Sequence, residues 1–235
     1  FRDKAINGVL AHFKEFKSYC FLSATPIPNN LKPAIFNDIP EYMADWNTTD
    51  DITVYPYHTD KPYMVAAKFI KTYQAKGCLN VNGIESKEAY FFINSVTEIK
   101  AILKQTQLTE DDYRIICADN PKNRRTLEEY TISSSADAPK KFNFITSKSF
   151  EGVDFHSETG LCFVVSNVQN RHTLVSIDMD IPQIVGRIRT KSNPFRNKVV
   201  HIFNTKATDH YTTFEEMEQI VDKEVKAAQE RADML

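Results

Sequence analysis

Apolar residues recur along this 235-residue chain with two different periods. Ile6, Val9, Leu10, Phe13 and Phe16 fall at helical spacing within 4–16, and the same period predicts helices over 64–73, 96–104, 124–130 and 213–231. In the last of these, Phe214, Met217, Val221, Val225 and Ala228 share one side, a stripe expected to dock on the core. Between the helices lie short, nearly continuous apolar runs, read as buried strands: 18–22, 89–94, 113–118, 142–146, 161–167 and 199–203. Repeated strand–helix units predict an α/β fold: a doubly wound, mainly parallel sheet with helices on both faces. Residues 29–60 break the alternation. They are rich in Pro, Asp, Asn and Thr, hold the single tryptophan, Trp46, and read as a linker.

The stretch 178–189 carries a pattern of its own. Asp180 suits an N-cap, with Gln183 three residues on, and Pro182 is tolerated in a first helical turn. Ile181, Ile184, Val185 and Ile188 form an apolar face. Gln183, Gly186, Arg187 and Thr190 repeat the spacing on a second face, offering an amide, a gap and a fixed cation, a combination suited to a phosphate chain. A surface helix with two solvated arginines is the plainer alternative.

Composition narrows the class without deciding it. Hydrophobic residues make up 42% and charged residues 26%, as in ordinary globular proteins. The net charge of −2 supplies no global positive field, so contact with nucleic acid requires a local patch or a partner domain. Cys20, Cys78, Cys117 and Cys162 form no Cys-x-x-Cys and read as buried, reduced thiols of a cytoplasmic protein. No apolar run approaches the ~18 residues of a membrane span, and no membrane association is expected. The six histidines show no metal-ligand spacing.

Taken in order, four stretches resemble the motifs of the superfamily 2 helicases and translocases. Ser23-Ala24-Thr25 is similar to motif III and 90–95 to motif IV; the Thr146-Ser147…Glu151-Gly152-Val153-Asp154 segment is similar to motif V. Gln183-x-x-Gly186-Arg187-x-Arg189 is similar to motif VI. The resemblance implies residues 1–28 as the end of a first RecA-like domain, 29–60 as a linker, 61–210 as a second, RecA-like domain, and 211–235 as a terminal helix. It implies ATP with Mg²⁺ as the cofactor of a complete motor, and single-stranded or duplex nucleic acid and the first RecA-like domain as partners. The sequence contains no Gly-Lys pair for a phosphate-binding loop and no D-E-x-H box. Both would precede motif III, so the expectation is of a piece beginning after them, inactive alone. A non-catalytic, helicase-derived module that binds nucleic acid or protein is the alternative.

By the same resemblance, Thr146, Ser147, Asn94 and Ser95 touch a nucleic-acid backbone, where hydroxyls and amides bond phosphate without reading bases. Helix capping is the competing role for Ser95 and Ser147. Lys140, Lys141 and Lys148 would add a cationic rim, or a solvated face. Gly152 and Gly186 would meet the nucleotide and Asp154 order its ribose side or the arginine network, with a turn glycine and an Asp-capped loop as the plainer alternative; Ser23, Ala24 and Thr25 would couple the two domains, and Arg187 act as an arginine finger, with Gln183 and Arg189 beside it. The spacing departs from the usual family pattern, Q-x-x-G-R-x-x-R: position eight is Thr190, and Arg189 comes one residue early. On a continuous helix Arg187 and Arg189 would point ~200° apart. Both face one ligand only if the helix tightens or ends by Ile188, which the stop signal Ser192-Asn193-Pro194 permits. The shorter spacing occurs in some DNA-helicase branches, which favours DNA over RNA.

Overall fold

The computed structural model describes residues 2–22, 32–44, 51–147, 150, 153–177, 180–206 and 213–233. Ser23, Ala24, Thr25, Lys148 and Gly152 lie outside these. The chain divides into two compact units, Phe1–Thr49 and Asp50–Leu235.

In the first unit, helix α1 (Arg2–His12) runs into a 3₁₀ turn, Phe13–Glu15. The Phe13 ring is buried, with Tyr19, Phe21 and Phe36 packed around it at centroid distances of 4.8, 5.1 and 6.4 Å. The strand expected over 18–22 is not formed, and Cys20, Phe21 and Leu22 are exposed. Among the described residues this unit holds no second strand, so an apolar run there has no ladder to join.

The second unit is built on strands β1 (Thr53–His58), β2 (Leu79–Val81), β3 (Ile84–Ser86), β4 (Glu88–Phe92), β5 (Tyr113–Ile116), β6 (Phe142–Ile145), β7 (Gly160–Val165) and β8 (Lys198–Phe203). Six form one sheet, in the order β1-β8-β7-β4-β6-β5, and every pairing in it is parallel. Helices α2 (Pro62–Lys76), α3 (Val96–Thr106) and α4 (Pro121–Leu127) lie among the connections up to β6. Helix α5 (Asp180–Val185) lies between β7 and β8, and α6 (Phe214–Asp233) follows β8.

Alternation along β4 sorts the two faces. Ala89, Phe91 and Ile93 join a core with α2 and α3, through residues such as Ile70, Tyr73, Ile99 and Leu103. Tyr90 and Phe92 join a second core with Phe150, Val153, Phe155 and the α5 residues Ile181, Ile184 and Val185. Both faces are covered, which is the doubly wound α/β arrangement that the alternation predicts.

Local chemistry sets the helix ends. Proline opens α2 and α4 at the position where a missing N–H costs nothing. Ser95 caps α3, accepting from the Glu98 N–H at 3.4 Å, and Asn120 caps α4, accepting from the Asn123 N–H at 2.9 Å. Gly77 ends α2 at φ +76°.

In this unit, three further features depart from the sequence reading. β1 lies inside the segment read as linker. It is an edge strand, and Pro56 is tolerated there because the ladder runs through alternate residues: Thr53 and Thr59 donate to Asn197 and Phe203, so the Pro56 position faces outward. The β2–β3 hairpin was not anticipated either, although Asn82-Gly83, both at positive φ, is the tight-hairpin signature. Finally, α6 is amphipathic but undocked: Phe214, Met217, Val221 and Val225 are 50–79% exposed. An apolar stripe reports a face, not what covers it. Among the described residues no helix is long and apolar enough to cross a membrane.

Candidate nucleic-acid cleft and arginine cluster

In open parallel sheets, ligands meet the crevice beyond the carboxyl ends of the strands. Here that edge holds a cleft of about 400 Å³. Asn94, Ser95, Val96 and Thr97 line it after β4, Ala118 after β5, and Thr146 and Ser147 after β6. Lys122, Asn123 and Thr126 of α4 and His172 also line it, and the described residues of the lining include no carboxylate. All four residues expected at a nucleic-acid backbone therefore share one cavity wall.

Their side chains are not equally disposed. Asn94 Nδ2 donates to the His172 carbonyl at 2.6 Å, while its Oδ1 accepts from Ser147 Oγ at 2.7 Å and from the Ser147 N–H at 3.3 Å. Asn94 thus ties three strand-end segments together. Ser95 spends its hydroxyl on the α3 cap. Thr146 is buried, and its hydroxyl reaches the Ile116 carbonyl at a long 3.5 Å. Lys140 and Lys141 sit at the opposite end of β6, where their ammonium groups donate to the carbonyls of Glu110 and Tyr73. They form no rim to this cleft; Lys122, on a helix whose charge pattern was not singled out, lies there instead.

The second candidate group gathers on the α5 face. The helix predicted to continue through Arg187 stops at Val185. Gly186 and Arg187 make a turn, and Ile188 forms a parallel bridge with Phe155. The Phe155 N–H donates to the Arg187 carbonyl at 2.8 Å, and the Arg189 N–H donates to the Phe155 carbonyl at 2.9 Å. The turn at Gly186 and Arg187 and the bridge at Ile188 take both arginines off the helix, so the 200° helical separation no longer applies. Arg189 Nε donates to Asp154 Oδ1 at 2.8 Å, and Arg187 Nη1 lies 3.7 Å from the same oxygen. Arg187 is further held by Gln183, its Nε donating to the carbonyl at 2.8 Å and its Nη2 to Oε1 at 3.3 Å.

Asp180 turns backward, its carboxylate accepting from the Ser176 N–H at 2.7 Å, instead of capping forward. At Gly186 a Cβ would stand 3.2 Å from the Pro182 carbonyl oxygen, so the tight turn off α5 favours glycine. The two guanidiniums share the one Asp154 carboxylate as their ion-pair partner. Among the described residues no group of three His, Cys, Asp or Glu side chains is placed to hold a metal ion. No family model, curated protein or solved structure matches the chain.

Proposed function

We propose that this chain is the second motor domain of an ATP-dependent nucleic-acid helicase or translocase. In this reading the strand-end cleft carries the sugar–phosphate backbone, and Arg187, with Arg189, reaches the γ-phosphate of an ATP–Mg²⁺ held by a partner domain. The observation that carries it is the convergence of Asn94, Ser95, Thr146 and Ser147 on one cleft beside Lys122, with no carboxylate among the described lining residues. Hydroxyl, amide and ammonium groups without an opposing carboxylate suit a polyanion gripped independently of base sequence. The pairing of Asp154 with both arginines adds support, because two motifs far apart in sequence meet at one carboxylate oxygen.

The division of labour follows from the contacts. Asn94 orients the cleft wall, Ser147 and Lys122 face the strand, and Asp154 holds both guanidiniums on one side until a phosphate competes for them. A fluorescent single strand titrated with the chain at rising salt tests the reading. Expected are a Kd near the ~10⁻⁴–10⁻⁶ M of non-specific contacts, a linear fall of log K with log salt, and weaker binding by Lys122→Glu. Binding that is sequence-specific, indifferent to salt, or untouched by Lys122→Glu would overturn it.

A further inference from the structure

One buried cation remains outside both groups. Arg114, on β5, is 2% exposed. It stands directly across from Asn143, which in turn pairs with Tyr90, so the three form one row across β5, β6 and β4. Arg114 Nε donates to Asn143 Oδ1 at 2.6 Å, and a terminal nitrogen donates to the Asp137 carbonyl. The Phe155 ring lies against this row: its centroid is 4.7 Å from that of Tyr90 and 5.4 Å from Arg114 Cζ. A desolvated guanidinium over a ring face is an attractive contact with a defined geometry.

Phe155 is also the residue whose backbone holds the two arginine positions, and Asp154 precedes it. We propose that Arg114 is a positioning residue for the Asp154–Arg187–Arg189 cluster, acting through the Phe155 ring. The guanidinium fixes the ring, the ring fixes the backbone at Phe155, and that backbone sets where Arg187 and Arg189 leave the chain. The consequence for catalysis rests on the motor reading; the mechanical coupling does not.

The test is amide hydrogen exchange, with the Arg189 Nε–H resonance, in the whole chain carrying Arg114→Met and, separately, Phe155→Leu, which keeps an apolar filling without a ring face. Both variants should exchange the Phe155 and Arg189 amides about ten-fold faster or more. The Nε–H signal should lose its ordered position, while amides of β4 and β7 keep wild-type protection. Unchanged Phe155 and Arg189 protection in either folded variant overturns the proposal. So does a loss shared in step with β4 and β7, which makes Arg114 a core residue only. Strand binding measured on the same samples separates the two ideas: its absence in the wild type removes the motor reading and leaves the coupling result standing.

Discussion

Replacing Asn94 separates what the cleft wall does for stability from what it does for a ligand. Asn94→Ala removes one donor bond to His172 and two acceptor bonds from Ser147. At ~0.5–1.5 kcal/mol net per bond, reduced because this half-buried site readmits water, the loss is ~1–3 kcal/mol. With a urea slope of ~1–3 kcal/mol/M, the unfolding midpoint falls by roughly 1 M. Asn94→Asp behaves differently. It keeps both Ser147 bonds, but sets a carboxylate oxygen against the His172 carbonyl and puts a negative charge in a cleft whose described lining has none. A carboxylate ~6 Å from a phosphate is disfavoured by ~0.7–3 kcal/mol across water-like to surface dielectrics, at least three-fold in Kd. The two variants should therefore rank in opposite orders: Ala the less stable, Asp the weaker binder of a labelled single strand. Urea titrations paired with anisotropy decide it. Wild-type midpoints in both variants would refute the structural role of the network, and wild-type affinity in Asn94→Asp would refute the anionic path.

Other expectations follow from packing and protonation. A Cβ at Gly160 would lie 2.5 Å from Tyr90 Cε2 and 2.8 Å from Ser157 Oγ, so Gly160→Ala should lower unfolding free energy by ~1–3 kcal/mol in urea, whereas a neutral outcome would mean the Tyr90 ring is free to shift. Burial holds the His201 imidazole below its usual value, with Ser166 Oγ 3.1 Å from Nε2. The unfolded chain then takes up this proton first, so the stability from the neutral folded ring is present above pH ~6.5 and declines as pH falls toward the folded value. Urea midpoints at neutral and mildly acidic pH should converge in His201→Gln relative to wild type; an equal acid loss in both would contradict it.

The sheet was legible because its strands are near-continuous apolar runs between helical periods, and 142–145 and 199–203 needed nothing else. β1 was hidden by Pro56 and by the lack of a continuous apolar run, with every residue but Tyr55 exposed, marks of an edge strand that also suit a linker. The hairpin signal Asn82-Gly83 is local and its flanking runs are only three residues long, so it does not stand out against the larger helix–strand rhythm. For the site, residue type and order were enough to place Asn94, Ser95, Thr146 and Ser147 at one sheet edge. Helix capping, the competing role read for Ser95, is the one its hydroxyl plays, whereas nothing in the sequence reveals that Asn94 spends its amide on His172 and Ser147. The end of α5 at Val185 was not readable, since Ile188 continues the helical period; only the pairing partner Phe155, more than thirty residues earlier, makes the extended conformation worthwhile. Arg114 read as one polar residue in an apolar strand, and nothing local signals that Asn143 and Phe155 meet it across the sheet.

The proposed motor reading is tested most directly by ATP turnover, with saturating nucleic acid, in a two-domain protein that carries this chain, comparing wild type with Arg187→Ala. A finger supplied across a closing cleft leaves ATP binding nearly intact, and its loss lowers turnover ~10³–10⁵-fold. Arg187→Lys should rescue little, because the planar fork is lost. Arg189→Ala should lower turnover comparably, because the helix ends at Val185 and both guanidiniums meet Asp154. An Arg187→Ala motor that hydrolyses ATP at the wild-type rate would contradict the account.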